Sequence, residues 1–290
     1  MPFRFTKVRR KRDDAEWRIV AVRAKRQIPV LGSVGLRAVR RLSPLPAQEP
    51  GVTKILGEIA RRRRLARAIG IFSLLVVLVA VWMGLGARAF TCVQQQPCLP
   101  NGFRNPVAAL EFARTAPDLK AIVGEIDHPN RAVMRRALNR DFVFISFYLV
   151  LYLLLTVAVF RATNFSPILT TITVAAAFCT AGFDVLENVR ALKVLNLANL
   201  NDAQVAGILD ASVIKWTFAF VTIALLSLAF RRSSLLHKAL RTLFLLTALA
   251  GLVGLISHAL IPLSSIPLLL GLLILIISGL FWPLRLIRDS

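Results

Sequence analysis

The sequence predicts an all-α, polytopic membrane protein with about six transmembrane helices and a basic N-terminal tail. The 290 residues are 56% hydrophobic and only 18% charged, whereas soluble globular domains carry about 25% charged residues. The charge is uneven, since residues 1–67 hold 19 of the 37 Lys and Arg residues but only 5 of the 15 Asp and Glu residues. Long apolar stretches follow that tail. Together these observations exclude a soluble enzyme, a disulfide-dense secreted domain and a disordered chain.

Six apolar stretches are long enough to cross a bilayer, because a helix that spans the hydrocarbon needs about 20 mostly apolar residues. They are Ala68–Ala87, Phe142–Phe160, Ser166–Phe183, Ala211–Phe230, Thr242–Pro262 and Ile266–Leu284. Only residues 263–265 separate the last two stretches, which predicts a tight helical hairpin. The sequence therefore divides into a cytoplasmic, partly disordered tail at 1–67 and a six-helix transmembrane domain at 68–290, with an external helical segment at 88–140.

The distribution of Lys and Arg predicts that both termini lie in the cytoplasm, since positively charged loops are retained there. This orientation places 26 of the 37 basic residues on the cytoplasmic side and 11 on the other side. Four arginines oppose the rule because they adjoin the second span on the outer side. They are Arg131, Arg135, Arg136 and Arg140. The reverse orientation would export the arginine run at 61–64, which is a larger violation.

An arginine run shortly before the first span predicts binding to the anionic headgroups of the lipid bilayer. It consists of Arg61, Arg62, Arg63 and Arg64. Each Lys or Arg near an anionic membrane surface contributes about 1 kcal/mol of attraction. Nucleic acid is the rival partner, because basic arms bind phosphate backbones without sequence preference. We favour lipid, since the tail offers few aromatic side chains for base stacking. The sequence predicts no specific protein partner or oligomer.

The external segment contains a cysteine pair and a short helix. Five residues separate Cys92 from Cys98, which predicts a small disulfide loop on the outer face, with two unpaired thiols as the alternative. Further along, Thr115 and Asp118 have the spacing of a capping box. The apolar residues that follow at helical spacing are Leu119, Ile122, Val123 and Ile126. We therefore expect an amphipathic helix here, followed by a helix that Asn130 caps and that continues into the second span.

Polar residues gather where the second to fifth spans approach the outer side. Asp184, Glu187 and Asn188 share one face of the third helix, because they lie three and four residues apart. The second and third spans are antiparallel neighbours, so Asp141 is expected at the depth of Asp184. Lys215 lies about one turn into the fourth span, where a long side chain can reach the headgroups. The expected cluster consists of Asp141, Tyr148, Asp184, Glu187, Asn188, Lys215 and His258.

Three hypotheses account for this cluster. The one that we favour is a structural clamp, in which polar contacts between helices organise the bundle of a protein that is not catalytic. A proton or solute pathway would use Asp184 or Glu187 as its acid, as intramembrane carboxyl groups do in transporters. A metal-assisted hydrolase would use the carboxylates and His258 as ligands, although Lys215 argues against it. The sequence assigns no cofactor, metal or catalytic residue.

Three runs in the middle third of the chain resemble segments of uncharacterised multi-pass membrane proteins of bacteria, a family of unknown function. They are residues 110–123 (LEFARTAPDLKAIV), 138–148 (LNRDFVFISFY) and 184–188 (DVLEN). The resemblance implies a protein of the bacterial cytoplasmic (inner) membrane and supplies no activity. It covers neither the basic tail nor the last two spans.

Overall fold

The protein is a helical bundle with a short helical segment between its first two long helices. The computed structural model describes residues 50–91, 99, 103, 105–163, 166–230, 234–257 and 261–283. The α-helices of this part of the chain are α1 (Pro50–Gly86), α2 (Pro106–Glu111), α3 (Ala116–Val123), α4 (Pro129–Thr163), α5 (Pro167–Val194), α6 (Asp202–Ala229), α7 (Leu235–Ser257) and α8 (Ile261–Phe281). A single 3-10 turn, Ala87–Ala89, follows α1.

Six of these helices are long and apolar enough to cross a membrane, namely α1, α4, α5, α6, α7 and α8. The predicted all-α, six-span fold is thus confirmed. Helices α4, α5 and α6 have 35, 28 and 28 residues, so each exceeds the about 20 residues that the hydrocarbon requires. Their extra turns pack with α2 and α3 at one end of the bundle. We call α2, α3 and these extra turns of α4, α5 and α6 the cap.

The cap has a hydrophobic core of its own beside the core between the spans. Its largest buried side chains are Leu110, Phe112, Leu119, Ile122, Met134, Leu138, Leu195 and Ile208. The spans bury a second set, which includes Ile69, Ile145, Leu151, Phe220, Leu226, Leu240, Phe244 and Leu275. Trp216 and Leu255 pack against both sets. Their level therefore marks the junction of the two cores.

Helices α3 and α6 begin with capping boxes, which satisfy backbone N–H groups that a first helical turn leaves free. At α3, Thr115 Oγ1 accepts a hydrogen bond from the Asp118 amide at 3.2 Å, and the Asp118 carboxylate accepts one from the Thr115 amide at 3.1 Å. Asn201 and Gln204 make the same reciprocal pair at α6. The amphipathic helix predicted from Thr115 onward is confirmed.

Two details of the predicted segment are wrong. Helix α3 ends before Ile126, which is exposed, because Gly124 adopts a φ of 74° that interrupts the helix. Asn130 is not a helix cap, since α4 begins one residue earlier. Its buried side chain instead donates to the Thr91 carbonyl oxygen at 2.7 Å and accepts from the Thr91 amide at 3.1 Å. Asn130 thereby fastens the chain that leaves α1 to the cap.

The break between the last two spans is also displaced from its predicted position. Helix α7 ends at Ser257 and α8 begins at Ile261, whereas the apolar stretches predicted a break at 263–265. Pro262 is thus the second residue of α8 rather than the last residue of the preceding helix. Proline is favoured in a first turn, because the N–H that it lacks has no helical partner there.

Helix α1 approaches α8 closely where two glycines face each other. A Cβ on Gly70 would lie 3.1 Å from the Gly279 backbone, and a Cβ on Gly279 would lie 2.6 Å from the Ala66 carbonyl oxygen. Small residues at such a crossing let the two backbones come into contact, as they do between other membrane helices. The crossing therefore holds α1 against the bundle on the side of α8.

Several predicted features lie outside the described residues. They are the first 49 residues of the basic tail, the two cysteines Cys92 and Cys98, and the imidazole of His258. The disulfide stays a prediction, as does the place of His258 in the polar cluster.

Candidate functional site

Four helices bring charged side chains to the junction of the two cores. Asp141 lies on α4, Asp184 and Glu187 lie on α5, Lys215 lies on α6, and Glu111 is the last residue of α2. None of the five is more than 8% exposed. At 1.5 Å per residue, the positions on α4, α5 and α6 are about 10–20 Å from the cap end of their helix. This common depth lets side chains from different helices meet.

Lys215 is the centre of this arrangement. Its Nζ lies 2.8 Å from Glu187 Oε2, 3.1 Å from Asp184 Oδ1 and 3.2 Å from Glu111 Oε1. The contacts with Glu187 and Asp184 are ion pairs rather than aligned hydrogen bonds. The expectation that Lys215 reaches up to the headgroups is therefore wrong. Helix α6 begins about 20 Å before this residue, so the ammonium lies inside the protein and takes carboxylates as its partners.

Neutral donors contact the second oxygens of two of these carboxylates. The Tyr148 hydroxyl donates to Asp184 Oδ2 at 2.9 Å, and Trp216 Nε1 donates to Glu111 Oε2 at 2.9 Å. The Trp216 ring also lies under the ammonium, with its centroid 5.2 Å from Lys215 Nζ, a cation–π contact. Because a buried charge is costly when its polar atoms lack partners, these donors help to stabilise the charged pairs.

Asp141 and Asn188 form a separate buried pair at the edge of the cluster. Asn188 Nδ2 donates to Asp141 Oδ2 at 2.8 Å. Asn188 is fully buried, and its Oδ1 accepts no hydrogen bond from the described residues. Arg190, two residues further along α5, donates instead to the Gly207 carbonyl oxygen at 2.5 Å. The pair thus contains a buried acceptor without a donor.

The cluster contains more acids than cations. Glu111, Asp141, Asp184 and Glu187 are four carboxyl groups, and the ion pairs that they make within the described part of the chain all end on Lys215. If every group were ionised, the cluster would carry a formal charge of −3. Buried like charges oppose one another, so the site has the chemistry to take up positive charge.

A metal-binding arrangement does not emerge from the residues that the structure describes. Among them, no three His, Cys, Asp or Glu side chains are grouped as metal ligands would be. Lys215 occupies the point on which three of the carboxylates converge. His258, the imidazole ligand of the hydrolase hypothesis, lies outside this part of the chain.

The structure brings most of the predicted cluster residues together. Tyr148, Asp184, Glu187 and Lys215 form one connected set, and Asp141 and Asn188 form the pair beside it. The sequence analysis missed two members of the site, Glu111 and Trp216. Glu111 carries a usable signal, since it stands between Leu110 and Phe112 and an acid between two large apolar residues is a candidate for burial.

The chain matches no protein-family model, no curated protein and no solved structure. The resemblance noted in the sequence is therefore limited to the general class: the helices are those of a multi-pass membrane protein, and no family is identified. A fold class alone does not define an activity, so the charged cluster is the feature of this molecule that bears on its function.

Proposed function

We propose that the protein is a non-catalytic integral membrane protein in which the charged cluster clamps the cap onto the transmembrane bundle. One observation carries this proposal. A single ammonium group, on Lys215 of α6, contacts Glu111 of α2 and both Asp184 and Glu187 of α5. Helix α2 lies outside the spans, whereas α5 and α6 belong to them. The cluster therefore links the two parts of the molecule.

Charged groups suit a clamp because they permit few alternative arrangements. Apolar side chains tolerate sliding and repacking, whereas a buried charge without its partner is strongly unfavourable. The three carboxylates and the ammonium meet only when α2, α5 and α6 adopt one relative position. We infer that the cluster selects this position, while the two hydrophobic cores supply most of the favourable burial.

Replacement of the central cation tests the clamp. Lys215→Met should lower the free energy of unfolding by about 3–5 kcal/mol, because it leaves three buried carboxylates without their cation. The measurement is reversible denaturant unfolding of the full chain in detergent micelles. Lys238→Met is the matched control, since Lys238 is exposed near the start of α7, and it should leave the free energy of unfolding nearly unchanged.

The clamp also predicts that the effects of substitutions at Glu111 and Lys215 on stability are coupled. Glu111→Gln combined with Lys215→Met should lose less stability than the sum of the two single variants, because the two side chains contact each other. Limited proteolysis should also cut the cap faster in Lys215→Met. Equal unfolding free energies for Lys215→Met and Lys238→Met would contradict the clamp.

A proton or solute pathway through Asp184 and Glu187 is the second candidate function. The observation that favours it is the excess of four carboxyl groups over one ammonium group, since buried acids with available protons are a feature of membrane transporters. Glu187→Gln separates the two candidates. A pathway predicts lost proton or solute flux in proteoliposomes with near-normal stability, whereas the clamp predicts lower stability.

We infer that the protein resides in the bacterial cytoplasmic membrane with both termini in the cytoplasm. The six spans support the placement of both termini on the same side, because an even number of crossings returns the chain to its starting side. Arginines at 61–64, exposed at the end of α1 opposite the cap, support the direction. Reporter fusions at Ser290 and within residues 201–204 test it. A reporter that works only in the periplasm should be inactive at Ser290 and active at 201–204, and the reverse pattern would overturn the orientation.

A further inference from the structure

The Asp141–Asn188 pair leaves one buried atom unexplained. Asn188 Nδ2 donates to Asp141 Oδ2 at 2.8 Å, so the amide group faces the carboxyl group. The other end of the same amide, Asn188 Oδ1, is buried and accepts no hydrogen bond from the described residues. A buried acceptor without a donor costs about 1–3 kcal/mol. The pair would therefore gain from one more donor at this point.

A protonated carboxyl group is the donor that fits. An ionised Asp can only accept hydrogen bonds, whereas a protonated Asp carries one O–H donor. A carboxylic acid and a primary amide can pair through two parallel hydrogen bonds, N–H to one carboxyl oxygen and O–H to the amide oxygen. The structure shows the first of these bonds. The second would need a proton on the other oxygen of Asp141.

The one cation of the cluster, Lys215, makes no ion pair with Asp141 within the described residues. Lys215 contacts the carboxylates of Glu111, Asp184 and Glu187, so its charge is already shared among three other groups.

Cations on the remaining neighbours of α4 are engaged or exposed. On α4 itself, Arg140 lies over the Trp82 ring, 4.4 Å from its centroid. The 3-10 turn that packs on α4 carries Arg88, which is exposed. On α3, Lys120 pairs with Glu125 at 2.5 Å. Within the described residues, Asp141 is thus a buried carboxyl group without an ion pair of its own.

We propose that Asp141 and Asn188 form a proton-binding site. The proton comes from the aqueous phase, binds Asp141 Oδ1 and is shared with Asn188 Oδ1, and it returns to the aqueous phase when the pair separates. The inference rests on the second candidate function for its role in a pathway and names the proton as what that pathway carries. A proton needs no coordination sphere, which agrees with a site that offers one carboxyl group and one amide.

Infrared spectroscopy of the full chain in lipid nanodiscs tests this proposal. At neutral pH the wild type should show the C=O stretching band of a protonated carboxyl group, and the band should shift in D2O. Asp141→Asn should remove that band. The control is Asp210→Asn, which changes an exposed carboxylate on α6 and should leave the band intact.

Stability provides a second measurement. Asp141→Asn should retain the melting temperature of the wild type, because the new amide supplies an N–H donor where the protonated acid supplied its O–H. Asn188→Leu should keep the band but shift its frequency, since the acid loses its hydrogen-bonded partner.

Three results would overturn the proposal. One is the absence of a protonated-carboxyl band in the wild type, which is expected if an imidazolium from His258 provides the missing positive charge. The second is a band that survives Asp141→Asn and disappears in Glu187→Gln. The third is a band that appears only without sodium, which would indicate an alkali cation. A missing band together with an unstable Lys215→Met variant would reject the proton site and leave the clamp standing.

Discussion

Two groups of arginines lie at opposite ends of the spans, and they have different surroundings. In the half of α1 away from the cap, Arg61–Arg64 and Arg67 are exposed on the helix surface, where Arg62 pairs with Glu58 at 2.7 Å. At the cap, the arginines near the start of α4 mostly contact protein atoms. The first group is available to partners outside the protein, whereas most of the second group is used by the fold.

Arg131 shows this use most clearly. Its side chain is only 3% exposed. The guanidinium donates to the carbonyl oxygens of Leu195 and Leu197 at 3.0 and 2.8 Å and to that of Gly124 at 3.3 and 3.2 Å. These carbonyls lie where α5 and α3 end, and helix ends leave carbonyl oxygens without helical partners. Arg131 therefore joins two helix ends to a third helix.

Two of its neighbours also contact the protein. Arg135 donates to Asn196 Oδ1 at 2.5 Å, and Arg140 lies over the Trp82 ring and donates to the Trp82 carbonyl oxygen at 3.4 Å. Arg131, Arg135 and Arg140 are three of the four arginines that oppose the predicted orientation. A count of arginines alone overstates the positive charge that is available on the cap side, since a guanidinium that is bonded to the fold is less available to lipid.

Among the arginines, the largest effect on stability is expected at Arg131. Arg131→Met should lower the free energy of unfolding by about 3 kcal/mol, because two buried carbonyl oxygens and one partly buried one lose donors and the charged hydrogen bonds are lost. Arg131→Lys should recover only part of this loss, since one ammonium cannot reproduce the planar fork of the guanidinium. Denaturant unfolding in micelles measures both values.

Arg136 provides the control for that experiment. It lies on the same helix but is exposed, so Arg136→Met should change the free energy of unfolding by less than about 0.5 kcal/mol. If the Arg131 and Arg136 variants lost the same stability, the distinction between engaged and free arginines at the cap would have no basis.

The fold was predictable where a local pattern decides it. Long apolar stretches predict the six long helices, and the Thr115 and Asp118 pair predicts the start of α3. Helix ends that depend on a single residue were harder to predict. Gly124 stops α3 through a positive φ, and Pro262 opens α8 although the apolar stretch continues across it. The hydropathy pattern is insensitive to both of these helix boundaries.

The polar site was predictable only in part. Helical spacing puts Asp184, Glu187 and Asn188 on one face, and this follows from sequence. The same reasoning puts Lys215 in one cluster with Asp184 and Glu187, and the structure shows both contacts. Glu111 reaches the cluster through the packing of α2 on the bundle, a tertiary contact that local pattern cannot predict.

Bonds from side chains to distant backbone atoms were beyond sequence analysis. Asn130 contacts Thr91 across 39 residues, and Arg131 contacts Leu197 across 66. Both appear in the sequence as ordinary polar residues beside a helix start. Their roles follow from the carbonyl oxygens that the cap leaves at its helix ends, and those positions are known only once the helices have packed.

The smallest effect on stability is expected in the exposed arginine group. Changing Arg61, Arg62, Arg63 and Arg64 together to Gln should leave the free energy of unfolding nearly unchanged, because exposed ion pairs such as Arg62–Glu58 contribute less than about 1 kcal/mol. The same variant should bind anionic lipid much more weakly, since each arginine near the surface contributes about 1 kcal/mol. Spin-labelled anionic lipid, followed by electron paramagnetic resonance on the full chain in bilayers, measures the bound fraction.

Salt and lipid charge make this last prediction specific. Binding of anionic lipid to the wild type should weaken as salt rises, because screening shortens the range of the attraction, and neutral lipid should show no such dependence. Arg136→Gln, at the other end of the bundle, should retain wild-type binding. Equal binding of neutral and anionic lipid would remove the electrostatic role. Salt-resistant binding of DNA well above that of lipid would instead make the exposed arginines part of a nucleic-acid-binding arm, for which the spans serve as an anchor.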